Sequence, residues 1–254
     1  GAHFAVTAFG HLSSLETKVY VGVYTALVIQ VDDACESALR DSRYDAIEDV
    51  VNFAIDIVAG RPSRTPSLRA LREHILFCGS LLNPMATPTL TFSTIQFVTA
   101  CAIEATPSLQ KTFSPEAACY TRSMSGDGSA YNIFIFPPSI PYADYKDALP
   151  SISDFLDLHN DLLSFYKEEI AGEECNLVSY LHKGCTNGAS KVDVLEWVMQ
   201  RSVHSYRRSL ELLQTEAARD AMRSFAQGYL DFHLQSKRYR LAEMGLGSRA
   251  SDAV

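Results

Sequence analysis

His159-Asn160-Asp161-Leu162-Leu163-Ser164-Phe165-Tyr166-Lys167-Glu168-Glu169 lies in a helix-favouring segment, Ser151 to Ala171, that opens on Ser-Ile-Ser-Asp and stops at Gly172. Successive helical positions turn by about 100°, so Asn160, Ser164 and Glu168 stand one above another on one face, over about 12 Å. An amide carbonyl, a hydroxyl and a carboxylate are hard oxygen donors of the kind Mg²⁺ takes. That ion keeps several waters and commonly shares its shell with phosphate oxygens. Lys167 stays near the same face and offers an ammonium to such a phosphate. A solvated polar stripe on a surface helix would carry the same three residues, so the reading turns on a second acidic cluster upstream.

That cluster ends a long helix, Leu15 to Arg40, apolar over most of its length and polar only at Asp32-Asp33-Ala34-Cys35-Glu36. A helix apolar nearly all round belongs in the centre of a domain, which puts the acidic group at the mouth of whatever the helix lines. Asp32 and Glu36 share a face at i and i+4, and like charges at that spacing repel unless a cation or a basic partner sits between them. An ordinary exposed helix end, paired with Arg40 or Arg43, is the alternative.

A chain of 254 residues, 47% hydrophobic, can bury a sizeable core, and one domain over residues 1–254 is expected. A formal charge of -8 argues against a nucleic-acid surface. Cys35, Cys78, Cys101, Cys119, Cys175 and Cys185 form no C-x-x-C pair and read as buried free thiols of a reducing compartment. No secretory signal is evident or expected at the start, and the longest apolar run, Val19 to Val31, is too short to span a bilayer. A soluble, cytoplasmic protein without a membrane partner is expected.

Helices are also expected over Asp45 to Ala59, Ser67 to Leu82 and Thr89 to Glu104, with a loop from Gly60 to Pro66. Ser114-Pro115-Glu116 starts another helix, running to Met124. Ser125-Gly126-Asp127-Gly128 should break it, freeing backbone groups beside Arg122. A short helix follows over Cys175 to Lys183, then a loop to Ala189 and a capping box at Ser190-Lys191-Val192-Asp193. Val192, Leu195, Met199, Tyr206, Leu210 and Leu213 form a core-facing stripe. In the last helix Met222, Phe225, Tyr229, Phe232 and Tyr239 do the same, up to Arg238-Tyr239-Arg240, with a frayed tail from Gly245.

The pairing of Asp-Asp-x-x-Glu at Asp32 with Asn-Asp-x-x-Ser-x-x-x-Glu at Asn160 resembles the class I terpene cyclases. Asn-Asp-Leu-Leu-Ser-Phe-Tyr-Lys-Glu is most similar to the trichodiene-synthase-type fungal sesquiterpene cyclases. Arg122 matches the diphosphate-sensing arginine of that family, Ser125 and Gly126 its linker and effector positions, and Arg238-Tyr239 its late Arg-Tyr pair, so the likeness runs from about Val19 to Arg240. It implies an all-α bundle around an apolar cavity, with farnesyl diphosphate as substrate and three Mg²⁺ at the cavity mouth. Asp32, aided by Glu36, would hold two ions, and Asn160, Ser164 and Glu168 the third. Arg122, Lys167, Arg238 and Tyr239 would donate to the diphosphate, and the Gly126 carbonyl would face the carbocation. Val28, Leu156, Tyr131 and Phe134 are candidates for the cavity wall. The resemblance leaves room for a homodimer.

Glu36 stands where the family commonly carries aspartate. Only 31 residues precede Asp32, so peripheral N-terminal helices are expected to be lacking. A chain-elongating prenyltransferase shares this fold and these metals but would want a second aspartate-rich motif in place of the Asn160 set. A non-catalytic helical protein would have solvated acidic ends and no gain in stability from Mg²⁺ and diphosphate.

Overall fold

The apolar run around Val19 to Val31 forms the middle of α2 (Leu15–Arg40), which buries Tyr20, Val21, Tyr24, Val28 and Val31. The structure is a computed structural model, describing residues 1–40, 44–106, 109, 114–126, 128–185 and 188–247. The other helices are α1 (Ala2–Ala8), α3 (Tyr44–Val58), α4 (Pro66–Leu76), α5 (Thr87–Glu104), α6 (Pro115–Ser125), α7 (Gly128–Tyr131), α8 (Leu149–Ala171), α9 (Leu177–Gly184), α10 (Lys191–Leu212) and α11 (Glu216–Gln235). No strand occurs among the described residues, so the fold is all-α. No helix among them is long and apolar enough to cross a membrane.

Local signals set most boundaries. Ser114 caps α6 by accepting from the Ala117 amide, with Pro115 in the first turn. Ser190 and Asp193 form the expected capping box of α10. Gly172 ends α8 in the left-handed conformation at φ 71°. The segment Thr89 to Glu104, ambiguous by pattern, is helical within α5.

Packing builds one large cluster from α1, α2, α4, α5, α7, α8 and α11, with Phe4, Phe9, Tyr24, Phe134 and Phe225 buried in it. A smaller cluster joins α9 and α10 to the flanks of α6 and α8. The most extensive helix pairing is α8 with α10.

Several expectations are corrected. The helix expected to run from Ser67 to Leu82 ends at Leu76, because Gly79 takes φ 38° and a 3₁₀ turn, Gly79–Leu81, follows. The stripe expected on α10 holds in part: Leu213 is buried, and Leu195, Tyr206 and Leu210 pack half-buried against the core. Val192 and Met199 are exposed, whereas Val194, Val198, Ser202, Ser205 and Ser209 are buried. Small serines let α10 approach α8 closely, so packing distance overrides apolar periodicity. α2 is not enclosed on every side either, since Leu15, Val19 and Val23, spaced by four, are exposed. The last helix stops at Gln235, and Tyr239 sits in a separate turn, Lys237–Tyr239, followed by Arg240 at φ 58°. Only Cys35, Cys78 and Cys101 of the free cysteines are fully buried; Cys175 is exposed. The end of the tail, residues 248–254, lies outside the described residues, as does Arg43.

Candidate active site

α2, α5, α6, α8 and α11 enclose one side of a cavity of about 350 Å³. Asp32 of α2 lines it together with Asn160, Ser164, Lys167 and Glu168 of α8, Arg122 of α6, and Arg238 and Tyr239 of the turn after α11. The positions singled out in sequence therefore share one surface, although they come from four separate stretches. The Glu36 side chain lies outside the described part of the chain, and so does Asp127. Ser125 reaches the cavity, whereas Gly126 is not among its lining residues.

The cavity wall differs from expectation. Val28, Leu156 and Phe134 are buried in the main cluster, and Tyr131 packs edge-on against Phe4 and Tyr24 while its hydroxyl donates to Thr25 Oγ1 at 3.0 Å. The apolar lining comes instead from Ile29, Phe97, Leu177 and Phe232. Ile29 stands beside Val28, and Phe232 belongs to the inward-facing stripe of the last helix; Phe97 carries no local signal. A residue one turn from a ligand in sequence is not thereby at the cavity surface.

Arg122 is the most heavily partnered cation of the site. Its Nε donates to Asp161 Oδ2 at 2.9 Å, and its Nη2 to the Asp157 carbonyl at 3.0 Å and to Asn160 Oδ1 at 3.3 Å. Burial would lower the guanidinium, but the Asp161 and Asp157 carboxylates outweigh it and hold Arg122 above its ordinary value. Asp157, not among the residues expected at the site, stands one turn before Asp161 on α8. Burial pushes its carboxyl up to about 7, against the pull of Arg122. Its Oδ1 accepts the Gly128 amide at 3.1 Å.

This carboxylate explains the two glycines. Neither Gly126 nor Gly128 has a positive φ. A Cβ on Gly126 would overlap the Asp157 carboxylate, and one on Gly128 would meet Asp157 Oδ1 at 2.6 Å and the Ser153 carbonyl at 2.8 Å. The break between α6 and α7 thus makes room for a carboxylate rather than supplying an unusual backbone angle.

Around the metal-type ligands, Lys167 Nζ donates to Glu168 Oε1 at 3.1 Å and lies 3.9 Å from Glu173. Cys101 Sγ lies 4.0 Å from Asp32 Oδ1, the outer limit for a sulfur donor. Its thiol is raised well above the ordinary value by hydrogen bonding with Cys35, by burial and by the nearby Asp32 charge, so it stays protonated. Ser164 is 2% exposed, and its Oγ has no hydrogen-bond partner among the described residues. An unsatisfied buried hydroxyl costs about 1–3 kcal/mol, which a coordinated cation would relieve. Five carboxylates among the lining residues face three cations, a surplus of negative charge that a divalent ion offsets. On donor chemistry the residues fit Mg²⁺. No group of three or more His, Cys, Asp and Glu suited to a metal occurs among the described residues, as expected for a set that is one part carboxylate.

The trichodiene synthase family model matches residues 2–253. The chain is 30% identical over 242 residues to an alpha-cuprenene synthase of Coprinopsis cinerea, a match covering 94% of this chain and 71% of that protein. It is 31% identical over 242 residues to a longiborneol synthase of Gibberella zeae, covering 92% and 69%. In three dimensions it is similar to a linalool/nerolidol synthase from Streptomyces clavuligerus in complex with 2-fluorogeranyl diphosphate, with TM-score 0.66, 17% identity, and coverage of 93% of this chain and 86% of that one. That likeness speaks for the fold alone.

Proposed function

The chain belongs to the trichodiene synthase family, and from that premise we propose that this terpene synthase ionises farnesyl diphosphate and cyclises the cation to a sesquiterpene hydrocarbon or alcohol. The observation that carries the reading is the meeting of Asp32, the Asn160, Ser164 and Glu168 column and four donors on one cavity that also exposes Phe97 and Phe232.

Three Mg²⁺, when bound, supply Lewis-acid stabilisation of the charge that develops on the departing diphosphate. In this reading Asp32, with Glu36 as its aid, holds two, and Asn160, Ser164 and Glu168 hold one. Arg122, Lys167, Arg238 and Tyr239 donate hydrogen bonds to the diphosphate, fixed donors aimed where negative charge grows. Arg122 turns to the diphosphate from its existing partners on α8, so the same residue reports substrate to the α6–α7 break. Phe97 and Phe232 supply aromatic surface to the cavity, and an aromatic ring attracts a cation without reacting. Closure of the mouth keeps water from the cation until cyclisation is complete. The span 1–254 acts as one domain, in the cytoplasm.

Incubation with farnesyl diphosphate and Mg²⁺, analysed by gas chromatography and mass spectrometry, tests the proposal. A sesquiterpene that disappears with Glu168→Gln is the expected outcome. Intact substrate from the wild type, with turnover only of geranyl or geranylgeranyl diphosphate, would reassign the substrate; no turnover of any would overturn the reaction.

A further inference from the structure

One buried group belongs to none of the roles above. His233 of α11 is fully buried, 0% exposed, and lies against the rings of Tyr229, Phe232 and Tyr239, with His159 further off. Its Nδ1 is 2.8 Å from the Tyr229 carbonyl oxygen, and its Nε2 is 3.3 Å from Asn160 Nδ2.

The chemistry of these neighbours fixes the proton. A carbonyl oxygen can only accept, so His233 Nδ1 carries the hydrogen, and in a neutral imidazole Nε2 is then a bare lone pair. A lone pair requires a donor, which puts the amide nitrogen of Asn160 on this side. Arg122 decides the other side independently. A guanidinium has only donors, so the Asn160 atom 3.3 Å from Arg122 Nη2 is the carbonyl oxygen. Two neighbours on different helices thus dictate one amide orientation. The Tyr239 hydroxyl is a further hydrogen-bond partner of the same side chain.

We propose that His233, locked as its Nδ1–H tautomer by the Tyr229 carbonyl, is a positioning residue that turns the Asn160 side-chain oxygen toward the cavity for metal binding. The inference rests on the metal role assigned to Asn160 above. An amide free to flip would present its nitrogen to the cation for part of the time, and a nitrogen donor cannot ligate Mg²⁺. Partners that orient a ligand in this way are typically worth 10- to 100-fold in metal affinity.

The test compares two substitutions that keep opposite halves of the imidazole. His233→Asn retains a donor for the Tyr229 carbonyl but offers nothing at the Nε2 position. His233→Gln reaches that position with an acceptor and gives up the Tyr229 bond. Each variant and the wild type is melted with increasing Mg²⁺ at fixed inorganic diphosphate, because a ligand bound to the folded state raises its Tm. His233→Asn should require about tenfold more Mg²⁺ for the same rise, and His233→Gln should stay within about threefold of wild type. Wild-type titration by His233→Asn, or equal loss in both variants, would overturn the inference while leaving the proposed reaction intact. Absence of any rise in the wild type would instead overturn the metal site itself. The tautomer is read separately from two-bond ¹H–¹⁵N correlations on histidine-labelled wild-type protein, which needs no variant to fold. Protonation at Nδ1 with a bare Nε2 is the expected pattern for His233, and protonation at Nε2 overturns the inference.

Discussion

Ser164 concentrates the residue-scale case. Its buried hydroxyl lacks a partner among the described residues, so Ser164→Ala should leave the ligand-free protein as stable or more so, by up to about 1–3 kcal/mol. The same substitution should weaken the rise in Tm given by Mg²⁺ with diphosphate. A variant that loses stability without ligand would show the hydroxyl to be structural. Three buried groups contribute strongly to the pH response, beside His11 and His74, which burial also lowers, and Asp161, which burial raises. Burial holds His159 at about 3 and His233 at about 4, below the ordinary histidine value, and raises Asp157 to about 7. As pH falls below about 6.5, the unfolded chain takes up two protons that the folded protein refuses. Over the same window the folded protein holds one proton on Asp157 that the unfolded chain lacks until about 4. One net proton favours unfolding, so these groups should cost about 1.4 kcal/mol per pH unit from about 6 down to about 4.5. Asp157→Asn removes the opposing group. It should gain stability at pH 8 and steepen the acid slope by about 1.4 kcal/mol per pH unit, as read from urea midpoints at several pH values.

At the scale of elements, the break between α6 and α7 gives the clearest prediction. Gly128→Ala forces a Cβ against Asp157 and the Ser153 carbonyl, and should destabilise by about 1–3 kcal/mol. Part of that loss should be recovered in combination with Asp157→Ala, since the clash is shared, and a double-mutant cycle measures how much. On α10, Ser205→Leu should destabilise by a similar amount, whereas Val192→Lys on the exposed face should change little. The elements themselves were legible where caps and breakers act over a few residues, as at Ser114, Gly172 and Ser190. The face of α10 was legible only in part: Leu195, Tyr206, Leu210 and Leu213 meet the core as read, but the row of buried serines beside them carries no apolar signal. The turn at Tyr239 was hidden for a related reason, since Ser236 is extended at ψ 118° without a glycine or proline to announce it.

For the whole molecule, the polar residues that meet on the cavity could be picked from four short stretches, because the residue types and helical spacing there are distinctive. The surroundings of that set could not. Asp157, Asp161 and His233 matter through what α6, α8 and α11 bring together, and Phe97 lines the cavity through tertiary packing alone. The complete assembly should respond as one unit. Mg²⁺ with diphosphate should raise the Tm of the whole protein, and Arg122→Lys should diminish that rise, because an ammonium cannot keep three separate acceptors in a planar fork.

The packing of α1 on α11 reaches beyond the finished structure. A Cβ on Gly228 would overlap the Thr7 carbonyl, and one on Gly22 of α2 would just reach Ala5, so α1 is seated between α2 and α11. Thr7 and Gly228 are about 220 positions apart in sequence. At roughly 5–20 residues per second of synthesis, α11 follows α1 out of the ribosome by some 10 to 40 s, and through that interval Phe4 and Phe9 have no α11 to bury them. The bundle therefore closes over α1 only after translation has passed α11, and until then the α1 aromatics stay without their partners in the nascent chain.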